Sequence, residues 1–539
     1  MTMKTYIGSL GVKGETPVSQ PLPGRESEMV LNNAGGFTFQ LDELSRLERF
    51  LVLGSEGGTY YASEKTLTLE NAKCVEAIAK DAKLGPKAVK LIVEISEEGR
   101  APKNDPAIFA LAICLKMGSD KTKAAAQLAV PKVCRTGTHM FQFCTAVDSL
   151  GGWGRGTKRA LASWYTGQSL DELAYQIVKY QSREGWSHRD VLRKLHINPG
   201  GANSKMSRLF RYTVGKGTEK NVDYLPEIVQ GFEEIKGVTD ARKAVKLIEK
   251  YGLPRECVPT ELLNDVHIWR ALLTSGKGMP VTAMVRNLGK MTSIGLITEG
   301  SDEARYVVSK LLDGDDLSKS MIHPMQLLLA LKTYAQGHGM LGKLSWNPAR
   351  KVTDALDDAF YRAFKNVKPT GKRFNLALDV SGSMHGQTVA GTPLTAAQCA
   401  VAMALVTMNV ERDVALFGFG TRYQALDISK GMRLDKAVAK ISNMNFGGTD
   451  ASLQIRTALS SKEKYDAFCT YTDNDTWSGG HASQELVKYR KQMGIPAKMV
   501  VVGMTSTGFT IADPTDSGQL DVVGFDSATP ALIADFCRK

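Results

Sequence analysis

The chain has no apolar run long enough to cross a bilayer, which argues against a membrane-spanning reading. Residues Met1 to Pro23 lack the charged-then-apolar order of a signal peptide. They are polar and rich in Pro and Gly, so they read as an arm, and the expected location is cytoplasmic. Eight cysteines are present, but no two form a CxxC pair. That spacing speaks against a zinc ribbon or a disulfide framework and for reduced core thiols. Strand-like alternation is scarce from Leu41 to Phe364. Acidic residues are also in deficit, with 56 Asp and Glu against 68 Lys and Arg.

At 539 residues the chain exceeds one ordinary core, and its 43% hydrophobic and 23% charged content is that of a globular protein. Its charge is unevenly spread. From Gly371 onward 17 basic residues meet 16 acidic ones, leaving 51 against 40 upstream. Nearly all the excess positive charge therefore lies in the first two thirds, which suggests a polyanionic partner there, nucleic acid before membrane.

Upstream, Leu41-Asp42-Glu43-Leu44-Ser45-Arg46-Leu47 places apolar residues on one helical face. Further amphipathic segments lie near 66–81, 86–98, 119–129, 131–148, 155–166, 169–182 and 187–196. Later ones lie near 239–251, 260–272, 280–290, 302–312 and 323–336. Many short-linked helices without a sheet suggest an α-solenoid of degenerate HEAT-like repeats, with an irregular all-α domain as the alternative.

The rhythm changes near Pro369-Thr370-Gly371. Short apolar runs at 373–378, 413–419, 465–471, 498–502 and 520–523 alternate with helical segments. This βαβ order predicts a doubly wound, mostly parallel sheet. In such sheets ligands bind beyond the carboxyl ends of the strands. The first strand runs into Asp379-Val380-Ser381-Gly382-Ser383, where one carboxylate and two hydroxyls alternate. Hard oxygen donors suit a divalent cation, Mg²⁺ first, because it takes few carboxylates and keeps waters. Thr449, in Gly447-Gly448-Thr449-Asp450, and Asp473, after another strand, offer further donors. No His/Glu pair suited to activating water is evident near the loop, so no catalytic residue is assigned. This domain resembles the von Willebrand A domain, whose metal-ion-dependent adhesion site has the order Asp379, Ser381, Ser383, Thr449, Asp473. The resemblance implies contacts from the first four residues, direct or through water, and a mostly water-mediated contact from Asp473.

Basic residues upstream gather on successive helical segments: Lys121, Lys123 and Arg135; Arg155, Lys158 and Arg159; Lys179, Arg183, His188, Arg189, Arg193 and Lys194; then Lys205 and Arg208. Such side chains suit phosphate contacts. Solvated helix faces explain any one cluster equally well, and Glu172 and Glu184 interrupt the stripe.

Five stretches stand out: Asn32-Asn33-Ala34-Gly35-Gly36-Phe37, Phe50 to Tyr61, Gly152-Trp153-Gly154-Arg155-Gly156, Gly185-Trp186-Ser187-His188-Arg189-Asp190 and Met279 to Leu288. They are similar to the TROVE module of the Ro RNA-binding protein family. The resemblance divides the chain into an arm (1–24), a TROVE domain (25–369) and an A-type, Rossmann-like α/β domain (370–539). It implies a multidomain protein in which the HEAT-like solenoid closes into a ring. It also implies Y-type small noncoding RNA on the outer surface and single-stranded 3′ ends of misfolded RNA in a central hole. RNA quality control by a non-enzymatic monomer, with an exonuclease as a further partner, is the expected role. His188 is the foremost expected RNA contact, with a capping or packing histidine at a helix start as the alternative. The rival expectation is an interaction module that docks an acidic partner on the A-domain cation.

Overall fold

The computed structural model describes residues 20–538 except 33–35, 55–63, 102, 198–203, 216–222, 277, 340–342, 364–368, 387–388, 390–393, 443, 445–446, 506 and 525–528. Most of the expected arm and the glycine-rich stretch after Gly54 lie outside the described residues. Two compact units result. The sheet unit comprises the described residues of 1–74, Arg100–Lys103 and those of 364–539; the helical unit comprises Val75–Gly99 and Asn104–Ala363. These limits differ from divisions after residues 24 and 369, because a segment near the N-terminus folds with the sheet.

That segment contains β1 (Met29–Leu31), β2 (Phe37–Gln40) and α1 (Glu43–Leu53). Asp42 caps α1 by accepting from the Leu44 and Ser45 amides, satisfying donors that a helix start leaves open. The helix buries Leu47, Phe50, Leu51 and Leu53.

In the helical unit, helix follows helix from Leu84–Glu98 to Arg350–Arg362 among the described residues. The single segment expected over 131–148 is divided. One helix, Asp120–Val133, takes in Pro131, and a second, Gly137–Ser149, starts after Thr136, whose hydroxyl accepts from the His139 amide. A hairpin that periodicity did not suggest joins β3 (Ser182–Arg183) to β4 (Trp186–Ser187). Its two linking residues, Glu184 and Gly185, have φ of 53° and 76°, the left-handed pair of a type I′ turn.

The main sheet holds β5 (Arg373–Asp379), β6 (Asp413–Phe419), β7 (Tyr423–Ala425), β8 (Ala467–Thr472) and β9 (Lys498–Gly503). After β10 (Phe509–Thr510) comes β11 (Gln519–Val523). The order is β11-β9-β8-β5-β6-β7, parallel except for the edge strand β7. β5 and β8 are almost wholly buried, as strands covered on both faces must be, and so read as continuous apolar runs. The helix Ala396–Val410 is apolar nearly all round and begins at a capping box between Thr395 and Gln398. β2 pairs with both β1 and β10, so the N-terminal segment contributes a small second sheet to this unit.

Candidate metal centre and nucleic-acid interface

β5 leads to β6 on one side, while β8 leads to β9 on the other, so the strand order reverses between β5 and β8. The carboxyl ends of these two neighbours therefore open on the crevice where ligands bind in doubly wound sheets. Asp379 ends β5 and Asp473 follows β8, and both are fully buried. Ser381, Ser383 and Thr449 are buried in the same unit.

Hydrogen bonds hold the cluster. Asp379 Oδ1 accepts from the Ser381 amide (2.9 Å), and Asp379 Oδ2 accepts from Thr472 Oγ1 (2.8 Å). The Ser381 and Ser383 hydroxyls lie 2.9 Å apart. Asp473 Oδ1 accepts from the Asp475 amide at 3.0 Å. The Thr449 carbonyl accepts from Thr476 Oγ1 (2.8 Å) and the Trp477 amide (3.2 Å), which ties its loop to the one that carries Asp473. Glycine is required before Thr449: Gly447 has φ +79°, and a Cβ on Gly448 would meet the Trp477 ring at 2.3 Å.

Burial, and next the charge of Asp473, push the Asp379 carboxyl well above the usual carboxylate range. Two buried carboxylates facing one another raise each other's cost of ionisation, which a positive charge between them would relieve. Together with three hydroxyls, this donor set fits a hard divalent cation. Among the described residues there is no group of three or more His, Cys, Asp or Glu arranged for a metal. The fit therefore rests on the serine and threonine oxygens as much as on the carboxylates. His385 Nδ1 lies 3.1 Å from the Ser381 carbonyl, and His481 Nε2 lies 2.6 Å from the Gln20 carbonyl.

The basic residues of the helical unit sit on helices that pack in succession. Asp120–Val133, with exposed Lys121 and half-buried Lys123, packs on Arg155–Thr166, which carries exposed Arg155 and Arg159 and half-buried Lys158. The latter meets His188–Leu195, bearing exposed Arg189 and Arg193, and that helix meets Lys205–Val214, bearing exposed Lys205 and half-buried Arg208. Arg183 is exposed on the hairpin, and exposed Arg135 donates to Ser96 Oγ at 2.7 Å.

One expected contact is corrected. His188 is buried, with Nδ1 2.8 Å from the Tyr165 hydroxyl and its ring against Phe141 and Trp164. Burial pushes its pKa down to about 3, so it is a neutral core side chain rather than a surface contact. Its helix position explains the misreading: it directly follows Ser187, which forms a capping box with Asp190. Lys179 is half-buried over the Tyr175 and Tyr180 rings and lines a cavity of about 660 Å³ with Lys250 and Arg255.

The structure adds a feature that charge counting missed. Trp153 and Trp186 stack with centroids 5.3 Å apart, and Lys194 Nζ lies 4.6 Å and 5.0 Å from the two rings. Both indoles are half-buried. The Glu184-Gly185 turn that brings Trp186 to Trp153 was the available signal. Trp164, by contrast, is core, donating from Nε1 to the Cys134 carbonyl.

A parallel sheet with an oxygen-lined centre at its switch point, joined to a basic helical unit, defines a helical protein carrying an A-type domain. The chain matches the TROVE domain over residues 30–252 and 240–333 and the Ro60 vWA domain over residues 373–537. It is 39% identical to the RNA-binding protein RO60 of Deinococcus radiodurans over 530 residues, covering 97% of this chain and 98% of the relative. It is 36% identical to RNA-binding protein RO60 of Caenorhabditis elegans over 584 residues, covering 94% and 90%. The crystal structure of the Deinococcus radiodurans RO (RSR) protein is similar with a TM-score of 0.69 at 38% identity, covering 92% of this chain and 99% of that one. The chain belongs to the Ro family.

Proposed function

We propose that the chain is the RNA-binding scaffold of a small ribonucleoprotein. The observation that carries this reading is the stacked Trp153–Trp186 pair under Lys194, just before two helices that present Arg155 and Arg159, and Arg189 and Arg193, to solvent. Exposed cations supply phosphate contacts, and an indole ring offers a face on which an unpaired base can stack. The names of the two relatives support RNA as the ligand. The finer reading follows the family resemblance. Y-type RNA binds the outer surface, and the 3′ tails of misfolded RNA enter a hole in a ring of helical repeats. The protein acts as a cytoplasmic monomer in RNA quality control, with an exonuclease partner processing what it binds.

In this reading the sheet unit holds Mg²⁺ on Asp379, Ser381, Ser383, Thr449 and Asp473, and the cation docks a partner rather than cutting RNA. The backbone contacts of His385 and His481 support that view, since among the described residues neither is hydrogen-bonded to a carboxylate as a water-activating base would be. The test is filter binding of a structured RNA with a single-stranded tail, at low and high salt, with the RNA recovered afterwards. Expected are tight binding at low salt, steep weakening as salt rises, and intact RNA. No affinity at low salt ends the proposal, and shortened RNA ends its non-enzymatic part.

A further inference from the structure

The loop that carries Asp473 is shaped by side chains from the far end of the chain. Asn474, the next residue, has φ +66°, a left-handed conformation that asparagine adopts more readily than most residues. Its amide donates to Thr472 Oγ1 (3.1 Å), the same hydroxyl that donates to Asp379 Oδ2 (2.8 Å). The backbone of Asp473 is held as well, because Thr505 Oγ1 donates to its carbonyl at 3.0 Å.

Arg49 of α1 reaches this loop from below. Its side chain is wholly buried, and Nη1 donates to the Thr505 carbonyl at 3.3 Å. Nε donates to Asp521 Oδ2 of β11 at 3.2 Å, and Nη2 donates to the other oxygen of that carboxylate. With the Asn474 amide turned so that both partners are satisfied, its oxygen accepts from Arg49 Nη1 (2.9 Å) and Nη2 (3.2 Å). Asn32, just past β1, adds a second clamp, donating from Nδ2 to the Asn474 carbonyl (3.4 Å) and to the Thr476 carbonyl.

A guanidinium has a rigid planar fork, so an arginine bonded on several sides fixes what it touches far better than a lysine can. The chain of contacts runs from Asp521 through Arg49 to Asn474, Thr472 and Asp379. It therefore joins both carboxylates of the centre to one buried cation on α1. A buried charge with this many partners costs less desolvation only while all of them stay in place.

We propose that Arg49, acting through Asn474 with Asn32 beside it, is a positioning residue for the divalent cation. It sets the Asp473 loop, and hence the second carboxylate, against Asp379. The inference rests on the metal reading above and extends it. Affinity for the cation depends on the N-terminal segment as well as on the five donor residues, because groups that hold metal ligands in place alter affinity by roughly 10–100-fold.

The experiment is Mn²⁺ binding to the full chain, followed by electron paramagnetic resonance, with Mg²⁺ competition as the second arm. Asn474→Gly keeps the left-handed turn accessible and removes the side-chain amide that meets Arg49, together with its 3.4 Å contact to the Ile511 amide. Arg49→Lys keeps the charge and loses the fork, and Arg49→Met loses both. The expected result is that Asn474→Gly weakens Mn²⁺ by roughly tenfold or more, and that Arg49→Met weakens it more than Arg49→Lys does. A purely structural role would lower unfolding temperature and leave the dissociation constant of the folded protein unchanged. If Asn474→Gly and Arg49→Lys bind Mn²⁺ like the wild type, the positioning role is overturned while the metal site stands. If the wild type binds neither ion, the metal reading falls and takes this inference with it.

Discussion

Lys121, Arg155, Arg189 and Arg193 stand exposed on the helical unit, whereas Asp379, Asp450 and Asp473 are buried in the sheet unit. The difference lies in how charge is used. Exposed cations need no fixed geometry: they act by number and are screened by salt. Buried carboxylates act by geometry, and each needs its own partners, as Asp450 has in Ser452 and Arg456. A total of +12 for the chain conceals both arrangements.

If the two regions work independently, Asp379→Asn should abolish Mg²⁺ binding by calorimetry and leave RNA affinity within twofold or so. The same variant should raise the stability of the metal-free protein, because it removes a buried charge that faces Asp473. A loss of RNA affinity would break the separation. Replacing Arg155, Lys158 and Arg159 together by Glu should weaken RNA about a hundredfold and lower the logarithmic salt slope by roughly 2–3, since each lost phosphate contact removes about 0.7–0.9. Metal binding should not change. Equal salt slopes for the variant and the wild type would show that these residues do not touch phosphate.

A smaller effect concerns His188, whose pKa is depressed to about 3 by burial. Unfolded, it would titrate near 6.5, so between those values the unfolded chain holds the extra proton. Stability is therefore retained above about pH 6.5 and lost as pH falls, by about 2 kcal/mol at about pH 5. Denaturant unfolding of the wild type against His188→Gln should show a shallower pH dependence in the variant; parallel curves would return His188 to the surface. The smallest expected change is for Lys194→Met, about 0.5–1 kcal/mol of stability through the lost cation–π contact with Trp153 and Trp186. A loss of RNA binding much beyond one phosphate contact would show that Lys194 also orders the stacked pair for a base.

Much of the sheet unit was legible because its strands are local apolar runs: the segment expected at 413–419 is β6 itself, and those at 373–378 and 498–502 fall within β5 and β9. The small sheet was not, because β2 finds β10 across nearly the whole chain and neither strand is long enough to show a period. Exposed Lys and Arg can be counted from sequence. Which histidine beside them is buried cannot, since a capping position and a core position look alike until the Phe141 and Trp164 rings close over it.

The sequence by itself determined the change from helices to a βαβ rhythm near residue 370, the oxygen-rich loop at the end of the first strand, and the skew of positive charge toward the helices. Each is a local property of neighbouring residues. Only the tertiary structure decided that Asp379 faces Asp473, that Trp186 lies on Trp153, and that Arg49 lies beneath Asn474. Those pairings join residues distant in sequence, and they form only when burial of the apolar faces brings their elements together.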